Sequence, residues 1–177
     1  MFSLELTKPD GRGLTLYSRR PIDPNISAPS PFAEPLRGSP HLRWHPLRGE
    51  WVTYAAYRQG RTFLPPPEYN PLAVTADPAH PTELPAGDWD VAVFDNRFPS
   101  LAVPSAQPPD LIVPTALAAG YCEVVVFTRI PRLPSGSCPW PTSICCCRSG
   151  ATVLPRSPVG AALRMCYRLK TVVPKWA

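Results

Sequence analysis

Three kinds of side chain in this 177-residue sequence have the chemistry to hold or attack a ligand: two arginines three apart, a cysteine triplet and three scattered histidines. Arg58 and Arg61 stand in "YRQGR", directly after a strand-like stretch. A guanidinium is a planar fork that matches phosphate oxygens two at a time, so a pair three residues apart suits one phosphate group. The same pair also reads as solvated loop arginines. Asn96 closes the apolar run "VAVFDN". Its amide both donates and accepts, and asparagine is equally a turn former at strand ends. Phe98 reads either as an aromatic wall for a ligand or as part of the core. His41, His45 and His80 never fall in a His-x-His arrangement and read as surface or packing residues. Cys145, Cys146 and Cys147 are consecutive, and adjacent side chains on a regular backbone diverge, so they do not close a zinc tetrahedron.

The elements that must position these residues are strands and long loops. "SLELTKPDGRGLTLYS" (3–18) alternates apolar and polar residues about Asp10-Gly11, which predicts a hairpin. Strands are expected at 49–57, at 88–96 with Trp89, Val91 and Val93 alternating, and at 121–128, which is β-branched and aromatic. Proline supplies 27 residues, with dense runs at 20–40 and 63–72, so long helices are not expected. The long loops span about 20–40 and 62–87. The expected fold class is α+β, strand- and loop-rich with few helices. No apolar run reaches the roughly 18 residues of a membrane span, and the start lacks a basic segment followed by an apolar one. A cytoplasmic chain is the expectation, and structural disulfides are unusual there.

Charge divides the chain sharply. Residues 1–128 hold ten Lys or Arg against thirteen Asp or Glu, a net of −3. Residues 129–177 hold eight Lys or Arg and no acid, a net of +8, and contain five of the six cysteines.

One segment carries more than its composition. "LRWHPLRGEWVTYAAYRQGR" (42–61), with its Arg-x-x-Pro-Leu-x-Gly-x-Trp-Val and Tyr-Arg-x-x-Arg patterns, resembles the N-terminal half of galactose-1-phosphate uridylyltransferases. "VAVFDNRFPSL" (91–101) and "GYCEVVVFT" (120–128) resemble that family's next two segments, in the same order. The resemblance covers about residues 40–128. It implies a histidine-triad-like antiparallel sheet, here incomplete. It also implies uridylyl transfer between UDP-glucose and galactose 1-phosphate, through a nucleophilic histidine in a His-Pro-His-x-Gln motif, and homodimeric intact relatives. By the same resemblance Arg58, Arg61, Asn96 and Phe98 are substrate-binding candidates. Arg97 stands where many relatives carry an acid, and its role is open. Many relatives bind zinc or iron through Cys-x-x-Cys; the matching positions here are Asn70 and Ala73, so no metal is expected there.

The division at 128 has a further reading in codons. Taking the third base of each codon after Thr128 with the first two of the next permits "DPQASLG" from Arg129 onward, and turns the cysteine triplet into leucines, because a TGC repeat shifted is a CTG repeat. The end, "RMCYRLKTVVPKWA", permits "HVLPFENRGAEVG", which resembles the family's Phe-Glu-Asn-x-Gly segment. The expectation is therefore a family-like domain over 1–128 and an out-of-frame, poorly ordered tail over 129–177. That product contains no His-Pro-His and is expected to be inactive. Two other readings stand beside it: a dinucleoside-tetraphosphate phosphorylase or other related nucleotidyltransferase, and a proline-rich binding protein whose basic tail engages nucleic acid. The tail lacks the helical or aromatic pattern of nucleic-acid modules, which disfavours the last.

Overall fold

The computed structural model describes residues 1–35, 38–60, 70–127 and 129, together with the backbone of Met165–Thr171. Eight strands are present among them, with one 3₁₀ turn: β1 (Phe2–Thr7), β2 (Gly13–Ser18), β3 (His41–His45), β4 (Glu50–Tyr54), the turn Ala56–Gly60, β5 (Val91–Asp95), β6 (Thr115–Leu117), β7 (Gly120–Val126) and β8 (Met165–Thr171). They form a five-stranded sheet ordered β1-β2-β5-β7-β8 and a three-stranded sheet ordered β4-β3-β6. Every pairing in both sheets is antiparallel.

The hairpin forms about Asp10-Gly11 as the sequence predicts, in register from Phe2 opposite Ser18 to Thr7 opposite Gly13. Its loop is longer than a two-residue turn. Lys8 N–H donates to the Arg12 carbonyl at 2.8 Å, and Gly11 N–H donates to the Lys8 carbonyl at 2.9 Å. Pro9 fits the first central position of that turn, and Gly11 takes the left-handed φ of 81° that a side chain would disfavour.

The main core lies on one face of the larger sheet. Leu14, Leu16, Ala92, Phe94, Val124 and Val126 from β2, β5 and β7 pack there with Leu84 and Trp89. Ile22, Ile26, Leu72 and Val74, from the proline-rich connections, close over them. Among the described residues, loops cover this face. They can do so because their polar backbone is bonded: Thr75 N–H to the Leu84 carbonyl at 2.8 Å, and Glu83 N–H to the Pro71 carbonyl at 2.9 Å. Val91, Val93, Val125 and Phe127 make a smaller cluster.

Several expectations change. The strand expected at 88–96 begins at Val91, so Trp89 does not share a face with Val91 and Val93. It turns into the main core, 1% exposed, and its indole N–H donates to the Pro85 carbonyl at 3.0 Å. The strand expected at 49–57 ends at Tyr54, because the chain tightens into the 3₁₀ turn, where Arg58 N–H donates to the Ala55 carbonyl at 3.0 Å. His41 and His45, which the sequence places ahead of a strand, bound a strand of their own. No element is expected after Thr128, yet β8 pairs with β7 from Gly120 opposite Thr171 to Val126 opposite Met165. Its sequence, MCYRLKT, alternates Met165, Tyr167 and Leu169 with Cys166, Arg168 and Lys170. The cysteine triplet, Arg61, and the rest of the tail beyond Arg129 lie outside the described residues. Among the described residues no helix is long and apolar enough to cross a membrane.

Candidate functional site

The site is built where the 3₁₀ turn meets the segment leaving β5. Asn96 N–H donates to the Cys122 carbonyl at 2.8 Å, which extends the β5–β7 ladder by one residue. The Asn96 side-chain oxygen accepts the Phe98 N–H at 2.9 Å and folds 96–98 into a tight turn. The turn-forming role of Asn96 is therefore realised. Its amide nitrogen has no protein acceptor among the described residues. Arg58 then reaches across from the turn after β4 and donates from Nη1 to the Phe98 carbonyl. Beside it, the Tyr57 hydroxyl donates to the Pro99 carbonyl. Two consecutive side chains thus hold two consecutive carbonyls, and Arg58, Asn96 and Phe98 come together. Phe98 is half-buried and belongs to none of the described core clusters.

Tyr57 is the residue sequence reasoning passed over. The available signal was its place next to Arg58. Its ring lies over Gly38, where an added Cβ would collide with it. Burial pushes the Tyr57 phenol above its ordinary value of 10.0, while the Arg58 charge pulls it down by less. A raised folded-state value means that the contribution is complete below pH 10.0 and is lost as pH climbs through the folded value. Tyr57→Phe should lower stability by about 0.5–1.5 kcal/mol through the lost hydrogen bond. It should also flatten the decline above pH 10.0, measured as urea midpoints against pH. A decline as steep as that of the parent protein would show that another group causes it.

Arg97, left open by the sequence, anchors this segment to the hairpin. Its Nη1 donates to the Glu34 carbonyl at 2.6 Å and lies 3.3 Å from Asp10 Oδ2. The guanidinium sits over the Phe32 ring at 4.1 Å. Asp10 belongs to a buried ionic cluster. Arg12 Nε meets Asp10 Oδ2 at 2.7 Å, Arg12 Nη2 meets Glu83 Oε2 at 2.8 Å, and Lys8 Nζ meets Glu83 Oε2 at 2.7 Å. Burial lowers the Lys8 ammonium below its ordinary value, and Glu83 opposes that shift. The cluster fixes the hairpin loop, the 83 loop and the end of β5 against one another.

The remaining sequence candidates have local roles. Asn70 Oδ1 accepts the Leu72 N–H at 3.0 Å, and the Ala73 N–H donates to the Asn70 carbonyl at 3.0 Å. Asn70 and Ala73 therefore close a turn, and Ala73 has no donor atom, so this pair does not fit a metal. Among the described residues no three His, Cys, Asp or Glu side chains converge. His41 accepts from Arg43, His45 accepts the Arg48 N–H in the β3–β4 turn, and His80 pairs with Asp77 at 2.9 Å.

Fold and site together describe a strand-rich antiparallel module with an arginine-bearing turn strapped to an Asn-x-Phe-Pro segment. In sequence the chain is similar to the galactose-1-phosphate uridylyltransferase of Streptomyces lividans, 33% identical over 125 residues that cover 67% of this chain and 29% of that protein. It is also similar to the galactose-1-phosphate uridylyltransferase of Thermotoga maritima, 34% identical over 104 residues that cover 52% of this chain and 30% of that one. The chain therefore spans about 30% of the length of the curated relatives it matches. No family model matches it, and no solved structure matches it.

Proposed function

We propose that residues 1–128 are the sugar-nucleotide-binding part of a galactose-1-phosphate uridylyltransferase-like protein, and that residues after Thr128 are read out of frame. The observation that carries the reading is Arg58 held against Phe98 beside Asn96, within a stretch similar to two uridylyltransferases. In this account Arg58 uses one of its five N–H donors on the Phe98 carbonyl and offers others to a phosphate of UDP-glucose. Arg61, three residues on, offers a second fork to the same phosphates. The free Asn96 amide donates to the uracil or ribose, and Phe98 flanks the base.

The covalent step of this reading needs a His-Pro-His, and none of the three histidines among these 177 residues stands in one. The purified chain is expected to show no uridylyl exchange between UDP-glucose and galactose 1-phosphate. Exchange above the no-enzyme background would refute this. Reading the DNA across codon 128 tests the frame: the account expects the shifted frame to run on into His-Pro-His. Verified DNA whose shifted frame soon stops would make the tail native, with β8 a genuine edge strand.

A further inference from the structure

Asp10-Gly11 is the one Asp-Gly step in the 177 residues, and the sequence has no Asn-Gly step. Such a step carries chemistry of its own. The glycine amide nitrogen can attack the side-chain carbonyl carbon before it, because glycine has no side chain to obstruct the approach. Attack on Asp10 Cγ bonds Gly11 N to that carbon. The amide proton and one carboxyl oxygen leave as water, and a five-membered succinimide remains. Water then adds back. Opening at the main-chain carbonyl breaks the original peptide bond and sends the chain through Cγ, as isoaspartate. The mass is unchanged, and the backbone is one methylene longer.

The fold holds each reacting group in place. The Asp10 side chain is 0% exposed, and its Oδ2 faces Arg12 Nε at 2.7 Å and Arg97 Nη1 at 3.3 Å. Its Oδ1 accepts the Arg12 N–H at 3.4 Å. The Gly11 N–H is engaged with the Lys8 carbonyl at 2.9 Å, and the loop is closed again by Lys8 N–H to the Arg12 carbonyl at 2.8 Å. Turning Cγ onto Gly11 N breaks these bonds together. It also leaves buried guanidiniums without their carboxylate, which is costly, so the loop must open before the reaction can start. We propose that Asp10-Gly11 is an isoaspartate modification site that the buried ionic cluster keeps closed in the folded protein. Once formed, the longer backbone no longer fits the turn from Lys8 to Gly11, and the carboxylate moves away from Arg97. Arg97 lies between Asn96 and Phe98, so the modification frees from the hairpin the segment that carries them. The proposal does not rest on any reading of what that segment binds.

The test is an ageing experiment on the full 177-residue chain at neutral pH, in buffer and in concentrated urea. Trypsin releases residues 1–12 as one peptide, in which Asp10 is the only aspartate. Chromatographic retention and backbone fragmentation then distinguish isoaspartate from aspartate at equal mass. The folded parent is expected to accumulate isoaspartate at least tenfold more slowly than the chain in urea. Arg97→Gln removes one of the two guanidiniums on Oδ2 and should speed the reaction in buffer at least threefold. Arg12→Lys, which keeps a charge but loses the Nε contact, should also speed it and serves if Arg97→Gln does not fold. Trp89→Phe loosens the core away from the loop and should stay within twofold of the parent. Equal rates for the parent in buffer and in urea would overturn the proposal. So would folded Arg97→Gln and Arg12→Lys that age no faster than the parent. Trp89→Phe ageing as fast as Arg97→Gln would trace the reaction to global unfolding and overturn it too.

Discussion

Glu83→Ala should destabilise the protein by about 3–5 kcal/mol, because it leaves two cations buried without their shared carboxylate. The Lys8 side chain is 0% exposed and that of Arg12 is 11% exposed, so water does not replace the lost partner. Both contacts are short, at 2.7 and 2.8 Å, and Glu83 Oε1 accepts a further bond from Arg12 at 3.0 Å. The effect should depend on pH in a defined direction. Burial already lowers the Lys8 ammonium, and removing Glu83 takes away the main influence opposing that shift. The unfolded chain then holds more protons than the folded one between the lowered value and 10.5, so stability rises with pH across that window. The deficit of Glu83→Ala should therefore shrink as pH approaches 10.5. Urea melts at several pH values measure it. A pH-independent loss under about 1 kcal/mol would show that the cluster is solvated rather than buried.

Trp89→Ala should cost a similar amount, about 3–5 kcal/mol. Trp89 is 1% exposed and joins the 70–85 loop to the sheet face through packing and its bond to the Pro85 carbonyl. Its removal opens a cavity where two proline-rich connections meet β2, β5 and β7. These loops have few regular bonds with which to collapse into the gap. Trp89→Phe should recover most of the packing and lose only the indole hydrogen bond, about 1 kcal/mol. Chemical denaturation of both variants checks the order. Equal stability of Trp89→Ala and the parent would mean that the connections do not close the core.

The strands with a buried face were legible in the sequence. β2, β5 and β7 alternate or run continuously with Leu, Val and Phe, because one or both sides pack. β3 was missed: HLRWH alternates, but it pairs within a three-stranded sheet whose β4 is largely exposed, so its pattern mixes histidine and arginine with leucine and tryptophan. β6, with three residues, is too short for any periodicity. Residue type and resemblance singled out Arg58, Asn96 and Phe98, and the structure brings these three together. The contact that unites them runs to backbone carbonyls, which every residue carries and no residue type announces. The buried ionic cluster was illegible for a related reason: Lys8, Asp10, Arg12, Glu83 and Arg97 look like solvated charges until the hairpin, the 83 loop and the end of β5 are brought together.

Calorimetric titration of UDP-glucose into the 177-residue chain, beside Arg58→Gln, tests the central claim most directly. The account predicts saturable binding by the parent chain and its loss in Arg58→Gln, with unfolding free energies from urea melts that agree within about 1 kcal/mol. Absence of binding by a folded parent chain, or equal affinity in the two proteins, would contradict it.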